Sequence, residues 1–147
     1  MNTPVNFELA KLLKEKEFHE LTWQSYRTVE NTDERLKWWK VGELNKPMYC
    51  KLSDSNDAFY GICSAPTIAE VVMWIYEKNR IWISVGGDCD YKFRFEIHTW
   101  KWYEIEKTYR LGHTVLGESF WDISSKAFDS PTEAYEAAIE YCLNKLI

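Results

Sequence analysis

The chain has 147 residues, 46% of them hydrophobic and 28% charged, which is the size and balance of one ordinary globular domain rather than a disordered segment. Its formal net charge of −5 argues against a general binder of phosphate backbones, which needs a basic patch or stripe, and leaves room for a local basic pocket for a small anion. Eight Trp, nine Tyr and seven Phe exceed what a core this size needs, so some rings are expected at a binding face or an oligomer interface.

The opening segment predicts a helix over 3–18. Thr3-Pro4 suits an N-cap with proline at the first helical position, and Phe7, Leu9, Ala10, Leu12 and Leu13 form an apolar stripe. Charged residues, Lys11, Lys14, Glu15, Lys16 and Glu17, occupy the other face. The segment carries no apolar signal-peptide core, and no run reaches the length of a membrane span. A cytoplasmic protein with free thiols at Cys50, Cys63, Cys89 and Cys142 is expected, against the alternative of two disulfides in a secreted chain.

Residues 19–63 read as an irregular, insertion-like region within a single α+β domain spanning 1–147. LTWQSYRTVE has strand-type residues. ERLKWWKV suits a short helix or an edge strand. Weak strands are predicted at 48–52 and 59–63, separated by Ser53-Asp54-Ser55-Asn56-Asp57.

A second helix is announced by Thr67 and Glu70, a capping box just after Pro66. Ile68, Val71, Val72 and Ile75, widened by Met73, Trp74 and Tyr76, predict a largely buried helix. Ile81, Ile83 and Val85 then alternate with Trp82 and Ser84 as a strand. Gly86-Gly87-Asp88 predicts a tight hairpin loop.

The return strand alternates Tyr91, Phe93, Phe95 and Ile97 with Lys92, Arg94, Glu96 and His98. A break near 99–101 predicts a separate strand through Tyr103 and Tyr109. Turns are expected at Leu111-Gly112-His113 and Leu116-Gly117, and a last short strand at SFWDI. Ser130-Pro131-Thr132-Glu133 opens a final helix whose stripe is Ala134, Tyr135, Ala138, Ile139, Cys142, Leu143 and Leu146. The fold class that follows is α+β, an antiparallel sheet of about four to six strands with the helices mainly on one face.

The phrases FELAKLLKEKEF, PTIAEVVMWIYEKNRIWISV and FDSPTEAYEAAIEYCLNKLI occur in that order. Together they resemble a group of small uncharacterised proteins common in gut anaerobic bacteria, their prophages and mobile elements. Residues 19–63 and 99–125 depart from the shorter members as insertions would. The resemblance implies a context, an accessory protein of a phage or mobile element that binds a host protein or a host signal molecule. No residue role carries over with it.

Catalytic patterns fail on inspection. His19, His98 and His113 lack helical-spaced partners for a metal. Cys89 stands between Asp88 and Asp90, which disfavour a thiolate. Gly112 to Gly117 lacks the Lys-Ser/Thr pair of a phosphate loop. No catalytic residue, cofactor or metal is assigned, and the chain is read as a non-enzyme.

The remaining candidate is an aromatic and cationic face: Trp82, Arg94, His98, Trp100, Trp102, Tyr109 and Arg110. Rings with cations beside them stack on bases or anchor protein partners. The plainer alternative has the rings filling a core or a dimer interface, with Arg94 paired to Glu96 or Glu104. The expectation is a binding protein acting through protein–protein contacts, forming a homo-oligomer, with a host protein as partner. The alternative is a protein that sequesters a small nucleotide-like signal and counters host defence.

Overall fold

The computed structural model describes residues 2–27, 46–53, 56, 62–87, 90–103, 108–113 and 126–147. The sequence features at 34–41, Asp88-Cys89, Glu104, 114–117 and 119–123 lie outside the described residues. The backbone gathers into two compact units, residues 2–67 and 68–147. Helices and antiparallel strands mix in both, so the α+β class holds. The expected single sheet of four to six strands does not: the six described strands form two sheets of three. Strands near in sequence pair with each other, and a helix separates the two runs.

In residues 2–67, helix α1 (Phe7–Glu15) starts later than Thr3-Pro4 suggested. Asn6 is the cap, its side-chain oxygen accepting from Leu9 N at 2.9 Å. Residues 3–5 are committed elsewhere. Pro4 bridges Thr67, and Val5 N donates to Pro66 O at 2.9 Å. The helix ends in a Schellman turn, with Phe18 N on Leu13 O and Glu17 N on Lys14 O.

Strands β1 (Thr22–Arg27), β2 (Met48–Ser53) and β3 (Ile62–Ser64) form a sheet of order β2-β1-β3, both pairs antiparallel. The weak strands expected at 48–52 and 59–63 appear as β2 and, shifted, β3. The core of this unit is Val5, Leu9, Ala10, Leu13, Phe18, Tyr26, Cys63 and Ala65.

In residues 68–147, α2 (Ile68–Asn79) buries Ile68, Val71, Val72, Trp74 and Ile75. Met73, expected to widen the buried face, is instead exposed. Arg80 adopts φ 56°, a left-handed turn that leads straight into β4 (Ile81–Gly87). Strands β5 (Phe93–Tyr103) and β6 (Thr108–His113) complete an antiparallel sheet, order β4-β5-β6.

Gly86 and Gly87 are not the hairpin loop but the last residues of β4, paired with Arg94 and Phe93. Among the described residues that follow β4, Tyr91 is left-handed, φ 57°. No break divides 99–101, because β4 and β6 pair with β5 on either side of that point. Leu111, Gly112 and His113 belong to β6 rather than to a turn.

Helix α3 (Pro131–Lys145) begins as its sequence indicates. Ser130 Oγ accepts from Glu133 N at 3.2 Å. The Glu133 carboxylate reaches back to Asp129 N, one residue earlier than in the standard box. Ala134, Ala138, Ile139, Tyr141, Cys142 and Leu143 are buried, and α3 contacts β4 and β5. Among the described residues, the buried apolar sheet residues of this unit are Ile81, Ile83, Phe95 and Ile97. Phe128 extends that side, pairing its backbone with Phe93 and its ring with Phe95 at 6.0 Å.

Candidate binding face

Side chains alternate along a strand, and residues opposite one another in an antiparallel pair share a face. With Ile83, Phe95 and Ile97 buried on one side, the opposite side of the β4-β5 ribbon is fixed by register. Its rows are Trp82 opposite His98, Ser84 opposite Glu96, and Gly86 opposite Arg94. The candidate residues of β4 and the first half of β5 therefore stand together on one face.

The alternation continues through the β5 positions 100 and 102. These pair with positions 111 and 109 of β6, and position 98 pairs with 113. Positions 82, 94, 98, 100, 102 and 109 thus fall on a common face. Position 110 does not: it pairs with 101, on the opposite parity. From 94 to 102 the row runs roughly 27 Å at the usual strand rise.

The local environments differ along this row. Arg94 and Glu96 are exposed, and Trp82 is 39% exposed. His98 is buried, its Nε2 3.2 Å from Glu96 Oε2. Glu96 is therefore engaged by His98. Trp82 meets the ring of Tyr76 edge-on, centroids 5.7 Å apart at 87°. The Arg80 guanidinium lies 5.7 Å from the centre of the Tyr76 ring. Tyr76 and Arg80 were not among the sequence candidates. Their i, i+4 spacing at the end of α2, just before Trp82, is the signal that could have found them.

At the other end of the ribbon lies an open depression of about 410 Å³, lined by Ser84, Val85, Gly86, Gly87, Arg94 and Glu96. Gly86 makes its floor: a side chain added there would meet no atom within 4 Å. The depression has one cation, Arg94, and one carboxylate, Glu96, at its wall.

Among the described residues, no three His, Cys, Asp or Glu side chains gather as a metal set. Cys63 and Cys142 are buried free thiols. Burial pushes Cys63 up to about 11, despite the opposing pull of Lys14, Lys11 and a hydrogen bond with the Tyr26 backbone. Burial alone pushes Cys142 up to about 12. Neither thiol is a thiolate nucleophile near neutral pH. Among the described residues no helix is long and apolar enough to cross a membrane.

No protein-family model, no curated protein and no solved structure matches the chain.

Proposed function

We propose that the chain is a non-enzymatic binding protein, an accessory factor of a phage or mobile element that works through protein–protein contacts. The observation that supports this is the stripe of candidate positions on one face of β4-β5-β6. A row of roughly 27 Å is too extended to converge on one small molecule. It suits a protein surface laid along the sheet, with rings and Arg94 as anchors. The partner is a host protein, and the chain itself is a homo-oligomer. The phage or mobile-element origin rests on the resemblance of its three phrases. The net charge of −5 supports the exclusion of general nucleic-acid binding. Cytoplasmic location and the absence of membrane association belong to the same proposal.

The depression beside Arg94 favours a second reading, capture of a small nucleotide-like anion. Its volume falls within the range of small-ligand sites, and a guanidinium beside a glycine in its lining suits a phosphate.

Native mass spectrometry of the protein purified from a bacterial lysate separates the readings, with Arg94→Glu run beside it. Retention of a protein-sized partner, lost in the variant, supports the first. An added mass of one small molecule per chain, lost in the variant, supports the second. Bare chains from both preparations, with no partner in a host-protein pull-down, would overturn both.

A further inference from the structure

We infer that the outer edge of β4 pairs antiparallel with β4 of a second copy, about a twofold axis at Ser84, so that each Trp82 covers the other copy's Gly86.

The hydrogen-bond parity of β4 follows from Phe93. Both its N–H and its carbonyl are taken by Phe128, at 2.9 Å each. Its pairing with Gly87 is therefore the non-hydrogen-bonded kind. Alternation then gives the β4-β5 bonds to Trp82, Ser84 and Gly86. Ile81, Ile83, Val85 and Gly87 turn their N–H and C=O groups to the other edge. Among the described residues no strand pairs with that edge.

Exposed strand edges are normally blunted by charge, proline or a bulge, or covered by a helix or loop, and no described strand covers this one. The sequence IWISVGG has no charge and no proline, and its register with β5 is continuous. It carries the features of a strand that is paired.

A twofold axis at Ser84 uses every outward group. Ile83 exchanges bonds with Val85 of the second copy, and Ile81 with Gly87, about eight hydrogen bonds over the pair. Trp82 then stands opposite Gly86 in a non-hydrogen-bonded pair, the kind that brings side chains closest. The fit is complementary in shape. Trp82 is a large ring left 39% exposed, and Gly86 is open space where a side chain would meet nothing within 4 Å.

The fit is complementary in charge as well. Arg94 lies in the Gly86 row, so the incoming indole arrives beside a guanidinium, a cation–π arrangement. The two Glu96 carboxylates sit at opposite ends of the Ser84 row, three strand spacings or about 14 Å apart. That exceeds the Debye length at physiological salt, so they do not oppose the pairing.

This deepens the binding reading above and rests on its choice of the Trp82 face. The test separates the two, because a monomer that still captures a host protein overturns the dimer alone.

Light scattering behind size exclusion, at protein concentrations from about 1 to 100 µM, should give twice the chain mass at the upper end, in the range expected of a small interface. Val85→Pro removes one outward N–H and none of the β5 ladder, so it should fold with an unchanged circular dichroism spectrum and run as a monomer. Gly86→Lys fills the space reserved for the second Trp82 and should do the same. Ser84→Cys places two sulfurs across the axis, where Cα atoms about 4.5 Å apart permit a disulfide. Under mild oxidant it should cross-link to a covalent dimer, with the wild type as the control for its own cysteines. A wild-type monomer throughout the range, a dimer that persists in both folded edge variants, or a Ser84→Cys protein that stays uncross-linked would each overturn the inference.

Discussion

The phenol of Tyr26 donates a 2.7 Å hydrogen bond to the backbone oxygen of Val5, 21 residues earlier and fully buried. This bond ties the strand β1 to the residue that precedes the cap of α1. Val5 has its N–H on Pro66, so both of its backbone groups are engaged across the chain. Tyr26→Phe keeps the ring and its edge-on contact with Phe7. It leaves a buried carbonyl without this donor. The expected cost is about 1–3 kcal/mol, a fall in Tm of several degrees for a chain this long. Thermal melts of the two proteins check it, and an unchanged Tm would show the bond to be dispensable.

Glu17 carries the left-handed turn that closes α1, with φ 59°. Its side chain is exposed, so the position demands backbone freedom and little else. Glycine is the residue that adopts this conformation without a Cβ penalty. Glu17→Gly is expected to stabilise the protein by about 0.5–1 kcal/mol, the opposite of what glycine does inside a helix. Denaturant midpoints decide the sign. A lower midpoint would mean that Glu17 contributes a side-chain contact worth more than its strain.

The start of α3 was legible because its signal is local: Ser130, Pro131 and Glu133 lie within one turn. The inward set Ile81, Ile83, Phe95 and Ile97 was legible because alternation needs no partner. Gly86 and Gly87 read locally as a turn, since glycine favours turns, and only pairing with Arg94 and Phe93 makes them strand. The start of α1 was misplaced because Thr3-Pro4 is a good local cap that bonds to 66–67 override. The binding face depends on register in the same way. The sequence brought Trp82, Arg94 and His98 to adjacent strands, but the Trp82–His98 row and the separation of position 110 come from the pairing.

The two buried thiols predict the direction of alkaline instability. An ordinary thiol ionises near 9, whereas burial pushes Cys63 up to about 11 and Cys142 to about 12. Between about pH 9 and these values the folded chain holds protons that the unfolded chain has released. Stability contributed by keeping the thiols neutral is complete below pH 9 and declines as pH rises through 11. Chemical denaturation of wild type and Cys142→Ala at pH 8, 9 and 10 tests this. The wild type should lose more stability over that interval than the variant, whatever the variant's offset at pH 8. Parallel losses would place the alkaline sensitivity elsewhere.

Asn56 joins the end of α1 to β3 through both ends of its side-chain amide. Its Nδ2 donates to Phe18 O at 2.6 Å, and its Oδ1 accepts from Ser64 N at 2.9 Å. One amide thus binds the end of the Schellman turn to the end of β3, using its donor and its acceptor on two separate atoms. Asn56→Ala removes both bonds and is expected to cost about 1–3 kcal/mol. Asn56→Asp keeps the shape and the acceptor but turns an oxygen toward the Phe18 carbonyl. It should therefore be at least as destabilising as alanine at pH 7, and should recover stability as the pH falls and the carboxyl gains a proton to donate. Denaturation of both variants at pH 7 and pH 4, each referred to wild type at the same pH, reads this directly. An Asn56→Asp protein as stable as wild type at pH 7 would mean that the donor half of the amide contributes nothing.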